Sequence, residues 1–409
     1  MNNGDTAWIL TSTALVFIML PGLALFYGGL VRSKNALSTI MQSFVAIIVG
    51  CIVWVLWGYS LAFGPDIGGF IGNLDHIGLR GVSAVAAGPY ADNIPHQTFM
   101  IFQAMFAIIT PALITGAFAE RVKFTSLILF IVLWSTIVYA PLAHWVWGAD
   151  GWLGLSGWGA LDFAGGAVVH VSSGVAALVA AVLFGKRRGL GSEPMQAHNV
   201  PFVIIGAALL WFGWFGFNAG SALTSGGSAT SAFVVTNIAA AMATLTWISI
   251  DYTRKRKISG VGAATGAIAG LATITPAAGF VGPMPALLIG LAAGIICYFM
   301  VELKNKINLD DSLDVFAIHG VGGMLGLLAA GIFAGVGFLD LSAHVLPGVD
   351  RGGQIIRQLG AIGAAAGWSL AGTVVILYAL KYTIGLRVSD DDEQTGLDIT
   401  QHGEDAYSA

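Results

Sequence analysis

Residues 162–174 read Asp-Phe-Ala-Gly-Gly-Ala-Val-Val-His-Val-Ser-Ser-Gly and decide the fold. They place one carboxylate and one imidazole at the head of an apolar run that continues to Phe184. Residues 314–323 are similar and read Asp-Val-Phe-Ala-Ile-His-Gly-Val-Gly-Gly. An ionisable residue inside a membrane-spanning run indicates a functional site. Two such stretches predict a pathway through the protein rather than around it.

The composition is typical of a helical membrane protein. Of the 409 residues, 56% are hydrophobic and 10% are charged, against about 25% charged residues in soluble proteins. The mean hydropathy is +0.81, and the 56 glycines indicate close helix packing. The net charge of −4 is small and gives no information about nucleic-acid binding. The amino terminus lacks the basic region of a signal peptide, so the first apolar run is predicted to be a retained helix.

About 20 apolar residues cross a bilayer, and the chain contains eleven such runs. Fifteen of the 18 basic residues lie in alternate connections or after the last run, and the other three lie on the opposite side. This asymmetry predicts an outer amino terminus and a cytoplasmic carboxyl terminus. Long outer connections are predicted at 64–95, after span four and before span eleven. The spans are roughly 7–31, 37–63, 96–118, 125–144, 162–184, 200–219, 229–250, 260–276, 284–302, 315–334 and 355–384.

An internal repeat is visible when His170 is aligned with His319, because Gly174 then coincides with Gly323. The two histidine-bearing spans run in opposite directions, so the halves are predicted to be inverted repeats with a site between them. The predicted domains are a transmembrane domain over 1–385 and a cytoplasmic tail over 386–409. Within the first, the repeats cover about 7–184 and 200–334, and an eleventh helix covers about 355–384.

The acids near the histidines are interpreted separately. Asp162 lies eight residues before His170, whereas Asp314 lies five before His319, so Asp162 is predicted to have no symmetry mate. Eight residues span about 12 Å of continuous helix, and a direct bond from Asp162 to His170 is not expected. Helix capping is the first interpretation of both acids. For Asp162, attraction of a cation to the outer mouth is a second.

The histidine pair is the candidate pore. An imidazole can donate from one ring nitrogen and accept at the other, so two neutral imidazoles suit a neutral hydrogen-bonding molecule or a proton. A structural hydrogen bond is the alternative for a lone intramembrane histidine. Zinc is a rival ligand, but no third ligand at metal spacing accompanies the pair. No metal or other cofactor is predicted.

Aromatic residues accompany the pair. Phe102 and Phe106 lie one helical turn apart, while residues 145–152 and 211–221 are rich in tryptophan and phenylalanine. An interfacial belt or lipid-facing packing is the default interpretation of such groups. An aromatic cage with a hydroxyl acceptor instead suits a small cation, through cation–π attraction of about 0.5–2 kcal/mol.

Five runs carry a specific resemblance to a known family. They are 21–30, 116–121, 162–170, 214–221 and 314–320. With them, nearly the whole chain resembles the ammonium transporter (Amt/Mep/Rh) family. The Amt branch is favoured because the outer tryptophan and serine, Trp147 and Ser221, are both present.

The resemblance implies an all-α, eleven-helix homotrimer of the inner or plasma membrane that takes up ammonium and is not an enzyme. Its implied partners are ammonium or ammonia, methylammonium, the lipid bilayer and a cytosolic PII-type signalling protein, with no nucleic acid. The implied site comprises Trp147, Phe106 and Ser221 as an outer recruitment site lined by Phe102; Phe106 and Phe217 as a gate; His170, His319, Trp214, Tyr27, Leu23 and Val315 along the pore; Asp162 for ammonium conduction; and Thr400 as a regulatory position phosphorylated in plant relatives.

The implied mechanism starts with recruited ammonium losing its proton near the gate. Ammonia then passes the histidines while the proton crosses separately, so transport is electrogenic. An electroneutral ammonia channel and an ammonium sensor that binds without conducting are the alternatives. A membrane enzyme is not supported, because no nucleophile accompanies the histidines. One departure from the family is Ser172-Ser173, whose hydroxyls are expected to affect either packing or pore hydration.

Overall fold

The computed structural model describes residues 1–335 and 350–407. In these ranges ten helices are long and apolar enough to span a membrane, and one further apolar helix is shorter, in agreement with the eleven predicted spans. The predicted connection before span eleven lies largely outside the described residues, as do the last two residues of the tail. The helices are α1 (Asn3–Leu30), α2 (Ser33–Phe63), α3 (His96–Ala117), α4 (Phe124–Trp147), α5 (Gly166–Phe184), α6 (Val200–Gly220), α7 (Gly227–Lys255), α8 (Gly260–Ile274), α9 (Pro283–Lys306), α10 (Phe316–Phe333) and α11 (Arg351–Thr383), with α12 (Asp390–Thr395) in the tail.

The connection between α2 and α3, which is predicted to be an outer one, contains four short strands. Strand β1 (Asp66–Ile67) pairs antiparallel with β2 (Ile71–Gly72), and β3 (Ala87–Gly88) pairs with β4 (Ala91–Pro95). Asp66 Oδ1 lies 2.9 Å from Nε2 of His144 on α4, and this hydrogen bond holds the pKa of Asp66 below its ordinary value. The connection therefore lies against the outer end of α4.

Helices α1 and α6, which begin the two predicted repeats, pack closely because glycines replace side chains at their contact. A Cβ on Gly206 would lie 2.3 Å from the backbone nitrogen of Phe26, and one on Gly213 would lie 2.4 Å from the carbonyl oxygen of Leu15. Small residues allow such an approach between membrane helices. On the same helix Trp214 is buried, while Phe212 is exposed.

Helices α5 and α10, which end the two predicted repeats, cross near their first turns. These turns are π-helical, over Gly166–Val171 and Phe316–Val321. A Cβ on Gly174 would lie 2.2 Å from the Cα of Gly320. Reciprocally, a Cβ on Gly323 would lie 2.8 Å from that of His170. The glycines that align in the sequence repeat thus bring the two histidine-bearing turns together.

The basic connections meet at one end of the bundle. Glu120 accepts from the backbone nitrogen of Arg32 at 2.7 Å and forms an ion pair with its guanidinium, also at 2.7 Å. Asp310 pairs with Arg187 at 2.9 Å, and its carbonyl oxygen accepts from Arg121 at 2.7 Å. The α1–α2, α3–α4, α5–α6 and α9–α10 connections therefore share one face. Which side of the membrane this face occupies stays a prediction.

The tail packs on the same face. Glu393 is buried and forms an ion pair with Arg387, and its carbonyl oxygen accepts from Lys34 Nζ at 2.8 Å. Asp398 is also buried and accepts from the backbone nitrogen of Ser38 at 2.8 Å. Glu393 and Asp398 therefore hold the tail on the basic face.

Candidate functional site

A cavity of about 490 Å³ lies at the end of the bundle opposite the basic face, and we call it the outer cavity after the predicted orientation. Trp147, Phe106 and Ser221 all line it. The rings of Trp147 and Phe106 meet edge to face, with centroids 5.6 Å apart. The Ser221 hydroxyl donates to the carbonyl oxygen of Phe217 at 2.8 Å. Because the donor of Ser221 is used, its oxygen can act towards a ligand only as an acceptor, which is the polarity a cation needs.

The structure places Phe102 behind this cavity rather than in its lining. The ring of Phe102 is fully buried and meets that of Phe106 edge to face at 5.1 Å. It also packs against Gly220, where a Cβ would lie 2.8 Å from the ring. Phe102 therefore supports Phe106, and the neighbouring Gln103 lines the cavity instead.

Two phenylalanines close the floor of the outer cavity. The ring centroids of Phe106 and Phe217 are 4.5 Å apart, with the rings inclined at 48°. Phe106 lines the outer cavity, and Phe217 lines a narrower one beneath it. The pair separates the two cavities, as a gate at this position requires.

The narrow cavity contains both histidines and has a volume of about 10 Å³, close to the minimum that one water molecule needs. The Nδ1 atoms of His170 and His319 are 3.2 Å apart. A hydrogen bond between them requires one donor and one acceptor. His170 Nε2 is buried without a partner among the described residues. Within residues 1–335 and 350–407, no three His, Cys, Asp or Glu side chains are grouped to hold a metal ion.

The wall of the narrow cavity is mainly apolar. Leu23, Tyr27 and Trp214 line it, as predicted for the pore. The Trp214 indole and the Tyr27 hydroxyl donate to neighbouring oxygens at 2.9 and 3.0 Å, so their polar groups are already satisfied. Val315 is buried beside Gly116, where a Cβ would lie 2.7 Å from its Cγ2, and it is absent from the lining of the narrow cavity.

Two further cavities follow towards the basic face. His319 and Tyr27 also line a cavity of about 40 Å³, whose wall includes Asp314. Asp314 in turn lines a cavity of about 390 Å³ beside the α5–α6 connection. Its carboxylate accepts from Lys304 Nζ at 2.5 Å. Because successive cavities share lining residues, they form a series that leads from the histidines to the basic face.

Asp162 caps the start of α5. Its carboxylate accepts from the backbone nitrogens of Gly165, Gly166, Ala167 and Val168 at 2.9, 2.5, 2.8 and 3.3 Å. The helix begins at Gly166 rather than at residue 162, because Gly165 has a φ of 119°. The expected 12 Å helical separation from His170 therefore does not apply. The carbonyl oxygen of Asp162 accepts from Trp147 Nε1 at 3.1 Å, which joins the cap to the outer cavity.

Asp162 does have an equivalent, and it is Asp311. Asp311 lies eight residues before His319, the same spacing as Asp162 and His170. It accepts from the backbone nitrogen of Phe316, the first residue of α10, at 2.7 Å. Asp314, with a φ of 62°, occupies the position of Gly165. The prediction that Asp162 has no symmetry mate was wrong. The spacing of eight residues between aspartate and histidine, which occurs in both repeats, could have identified Asp311 from the sequence.

The hydroxyls of Ser172 and Ser173 bond to their own helix. Ser172 donates to the carbonyl oxygen of Val168 at 2.6 Å, and Ser173 donates to that of His170 at 3.3 Å. Both side chains are fully buried. Of the two expected effects, the contacts favour packing over pore hydration.

The sequence interpretation missed Asp5. Its carboxylate accepts from Asn93 Nδ2 at 2.9 Å, from the Ser225 backbone nitrogen at 2.7 Å and from the Thr224 hydroxyl at 3.1 Å. These contacts join α1 to β4 and to the turn that carries Ser221. A lone acid near the amino terminus has no sequence signal for this role, because its partners lie far along the chain.

Residues 7–407 match the model of the Ammonium Transporter Family. The chain is 49% identical over 409 residues to an ammonium transporter of Bacillus subtilis, with 100% of this chain and 99% of the relative covered. It is similar to the crystal structure of Candida albicans Mep2, with a TM-score of 0.88, 40% identity and coverage of 100% of this chain and 91% of the other. It is also similar to a solved Sensor Amt Protein, with a TM-score of 0.87, 31% identity and 98% coverage of both chains. The chain therefore belongs to the ammonium transporter family, as a multi-pass protein of the cell membrane that serves ammonium transport rather than catalysis.

Proposed function

We propose that the protein takes up ammonium by deprotonating it between the outer cavity and the histidines. NH₄⁺ is recruited by Trp147, Phe106 and Ser221, loses its proton at the Phe106–Phe217 gate, and crosses as NH₃ past His170 and His319. The proton travels separately, so net transport is electrogenic. The supporting observation is the imidazole pair, with Nδ1 atoms 3.2 Å apart in a cavity of about 10 Å³.

The size and polarity of this cavity favour a neutral molecule. A space of about 10 Å³ has no room for the hydration shell of a cation. Moving a dehydrated charge into an apolar interior costs several kcal/mol or more, and deprotonation avoids that cost. Potassium has no proton to lose, so the same step discriminates against it.

His170 is the group best placed to receive the proton. Its ring centroid lies 6.0 Å from that of Phe217, directly beneath the gate. Its Nε2 atom is buried and unpartnered among the described residues. In this proposal Asp162 acts through the backbone, because its carboxylate is occupied by the amino terminus of α5.

We also propose an oligomeric state, a regulatory role for the tail and further partners. A homotrimer rests on the family resemblance, and exposed apolar side chains such as Leu245 on α7 and Leu288 on α9 lie where either lipid or another copy would cover them. Regulation through the tail is supported by its docking on the basic face, where the half-buried Thr400 donates to the carbonyl oxygen of Gly396 at 3.0 Å. Recognition by a PII-type protein and transport of methylammonium rest on the family resemblance.

Currents from reconstituted protein on a solid-supported membrane test the mechanism. Ammonium pulses should give saturable currents, and His170→Ala should abolish them or allow potassium to pass. His76→Ala, on the outer connection, is the matched control and should retain the ammonium current. Ammonia uptake without current in the intact protein would favour the electroneutral channel. Binding without either flux would favour a sensor, the function that the similar Sensor Amt Protein carries in its name.

A further inference from the structure

Gln103 is a buried polar side chain that the proposed mechanism does not use. It lies on α3, is 8% exposed and lines the outer cavity. Its Oε1 atom has no hydrogen-bond partner in the part of the chain that the structure describes. Burying an amide oxygen without a partner is unfavourable, so an orientation of the amide in which this oxygen meets a donor from a ligand is favoured.

The position of Gln103 on the helix directs it to the recruitment site. Phe99, Gln103 and Phe106 follow one another at spacings of four and three residues, which places them on one face of α3. All three line the outer cavity. Gln103 therefore lies one turn from Phe106, whose ring meets that of Trp147 at 5.6 Å.

The amide of Gln103 is free to present its oxygen. A half-turn of the terminal torsion exchanges Oε1 and Nε2, and this torsion is a soft one. No hydrogen bond within the described residues holds either end, so the half-turn breaks none. Gln97, in the first turn of the same helix, differs in this respect because its Nε2 donates to the carbonyl oxygen of Val82 at 3.1 Å.

We propose that Gln103 is a specificity-determining ligand of the outer site, where its amide oxygen accepts an N–H from recruited ammonium. This inference rests on the proposed function. Ammonium presents four N–H donors in tetrahedral directions, and the Ser221 oxygen and the Gln103 oxygen take two of them. The faces of Trp147 and Phe106 attract the rest of the cation. Potassium has no directional donors, so it gains less from two oxygens placed in this way.

Two substitutions at Gln103 test the proposal in opposite directions. Gln103→Leu keeps the volume and removes the acceptor, so the half-saturation concentration of the ammonium current should rise about ten- to hundredfold, as expected for the loss of one hydrogen bond to a charged group. Gln103→Glu keeps the acceptor and adds a negative charge, so the half-saturation concentration should fall and the maximal current should fall with it, because the cation is held more tightly. Gln97→Leu is the matched control and should reproduce the wild-type curve.

The outcomes separate a ligand from a structural residue. A Gln103→Leu curve that superimposes on the wild type would overturn the proposal, and so would equal losses of maximal current in both variants without a change in half-saturation. If Gln103→Leu does not assemble, Gln103→Met replaces it as the variant without an oxygen. If the intact protein carries no current, the transport mechanism fails on its own. In that case, calorimetry measures the affinity of the purified wild type and the same variants for ammonium. Gln103→Leu should bind ammonium more weakly than the wild type, and Gln103→Glu should bind it more tightly.

Discussion

Helices α5 and α10 begin in the same way but in different electrostatic surroundings. Each has an aspartate eight residues before its histidine, a residue of positive φ three positions after that aspartate, and a π-helical first turn. Asp162 accepts four backbone hydrogen bonds. Asp311 accepts one from Phe316, and its Oδ1 atom has no partner among the described residues.

The difference follows from what surrounds each cap. Asp162 lines the outer cavity, at the end of the bundle opposite the basic face, and backbone N–H groups satisfy its buried carboxylate. Asp311 lies at the basic face, where Lys304 Nζ donates to its carbonyl oxygen at 2.8 Å. Burial raises the pKa of Asp311 to about 6. The repeat therefore duplicates the backbone geometry that presents each histidine, while the outer carboxylate accepts four backbone hydrogen bonds and the inner carboxylate keeps one oxygen unpartnered among the described residues.

The largest expected effect comes from the contact that the two helices share. In Gly174→Ala, the new Cβ would lie 2.2 Å from the Cα of Gly320 and would force α5 and α10 apart. Overpacking costs about 1–3 kcal/mol where side chains can move, and a backbone neighbour can move less. We expect the ammonium current to be lost and the melting temperature to fall.

Gly367→Ala is the control for this substitution, because a Cβ at Gly367 on α11 meets no atom within 4 Å. It should leave both the current and the melting temperature near the wild-type values. A Gly174→Ala protein with a normal current would show that the crossing does not set the histidine geometry.

An intermediate effect separates the two caps. Asp162→Ala leaves four backbone N–H groups without their acceptor, whereas Asp311→Ala leaves one. From the cost of lost caps and of lost hydrogen bonds to charged groups, we expect destabilisation of about 2–4 kcal/mol for the first and about 1–2 kcal/mol for the second. Thermal unfolding of the purified proteins measures the difference. Equal losses would mean that the two caps are equivalent in energy as well as in geometry.

The smallest effect concerns pH. The Asp311 carboxyl has an ordinary pKa of 3.8, and in the folded protein its pKa is about 6. The folded state thus binds this proton more tightly, so the stability contributed is complete below about pH 3.8 and is lost as the pH rises through about 6. The loss is at most about 3 kcal/mol, since one pKa unit corresponds to about 1.4 kcal/mol.

Asp311→Asn should therefore flatten the dependence of the melting temperature on pH between about 4 and 6. The exposed Asp391→Asn serves as the control, with the wild-type slope expected. A slope in Asp311→Asn that matches the wild type would place the titration elsewhere and would remove this contrast between the two helices.

Local patterns predicted most of the fold. Even the short, glycine-rich span at 260–276 is a helix, over Gly260–Ile274. The predicted start of α5 was four residues too early. The helix begins after Gly165, whose φ is positive, and the backbone nitrogen of Gly165 donates to the Asp162 carboxylate. Phe102 was predicted to line the outer site, but Gln103 lines the outer cavity instead. Sequence spacing places residues on faces, but it does not say which face turns to the cavity.

The sequence by itself determined the eleven apolar spans, the segregation of basic residues to alternate connections and the pairing of His170 with His319, because hydropathy, charge and spacing are properties of the local chain. Only the tertiary structure decided that the two Nδ1 atoms lie 3.2 Å apart, that Asp5 holds the turn beside Ser221, and that Gln103 rather than Phe102 lines the outer cavity. These features depend on where helices cross and how each is rotated about its axis. That rotation is set by the packing of segments more than a hundred residues apart, which no local pattern specifies.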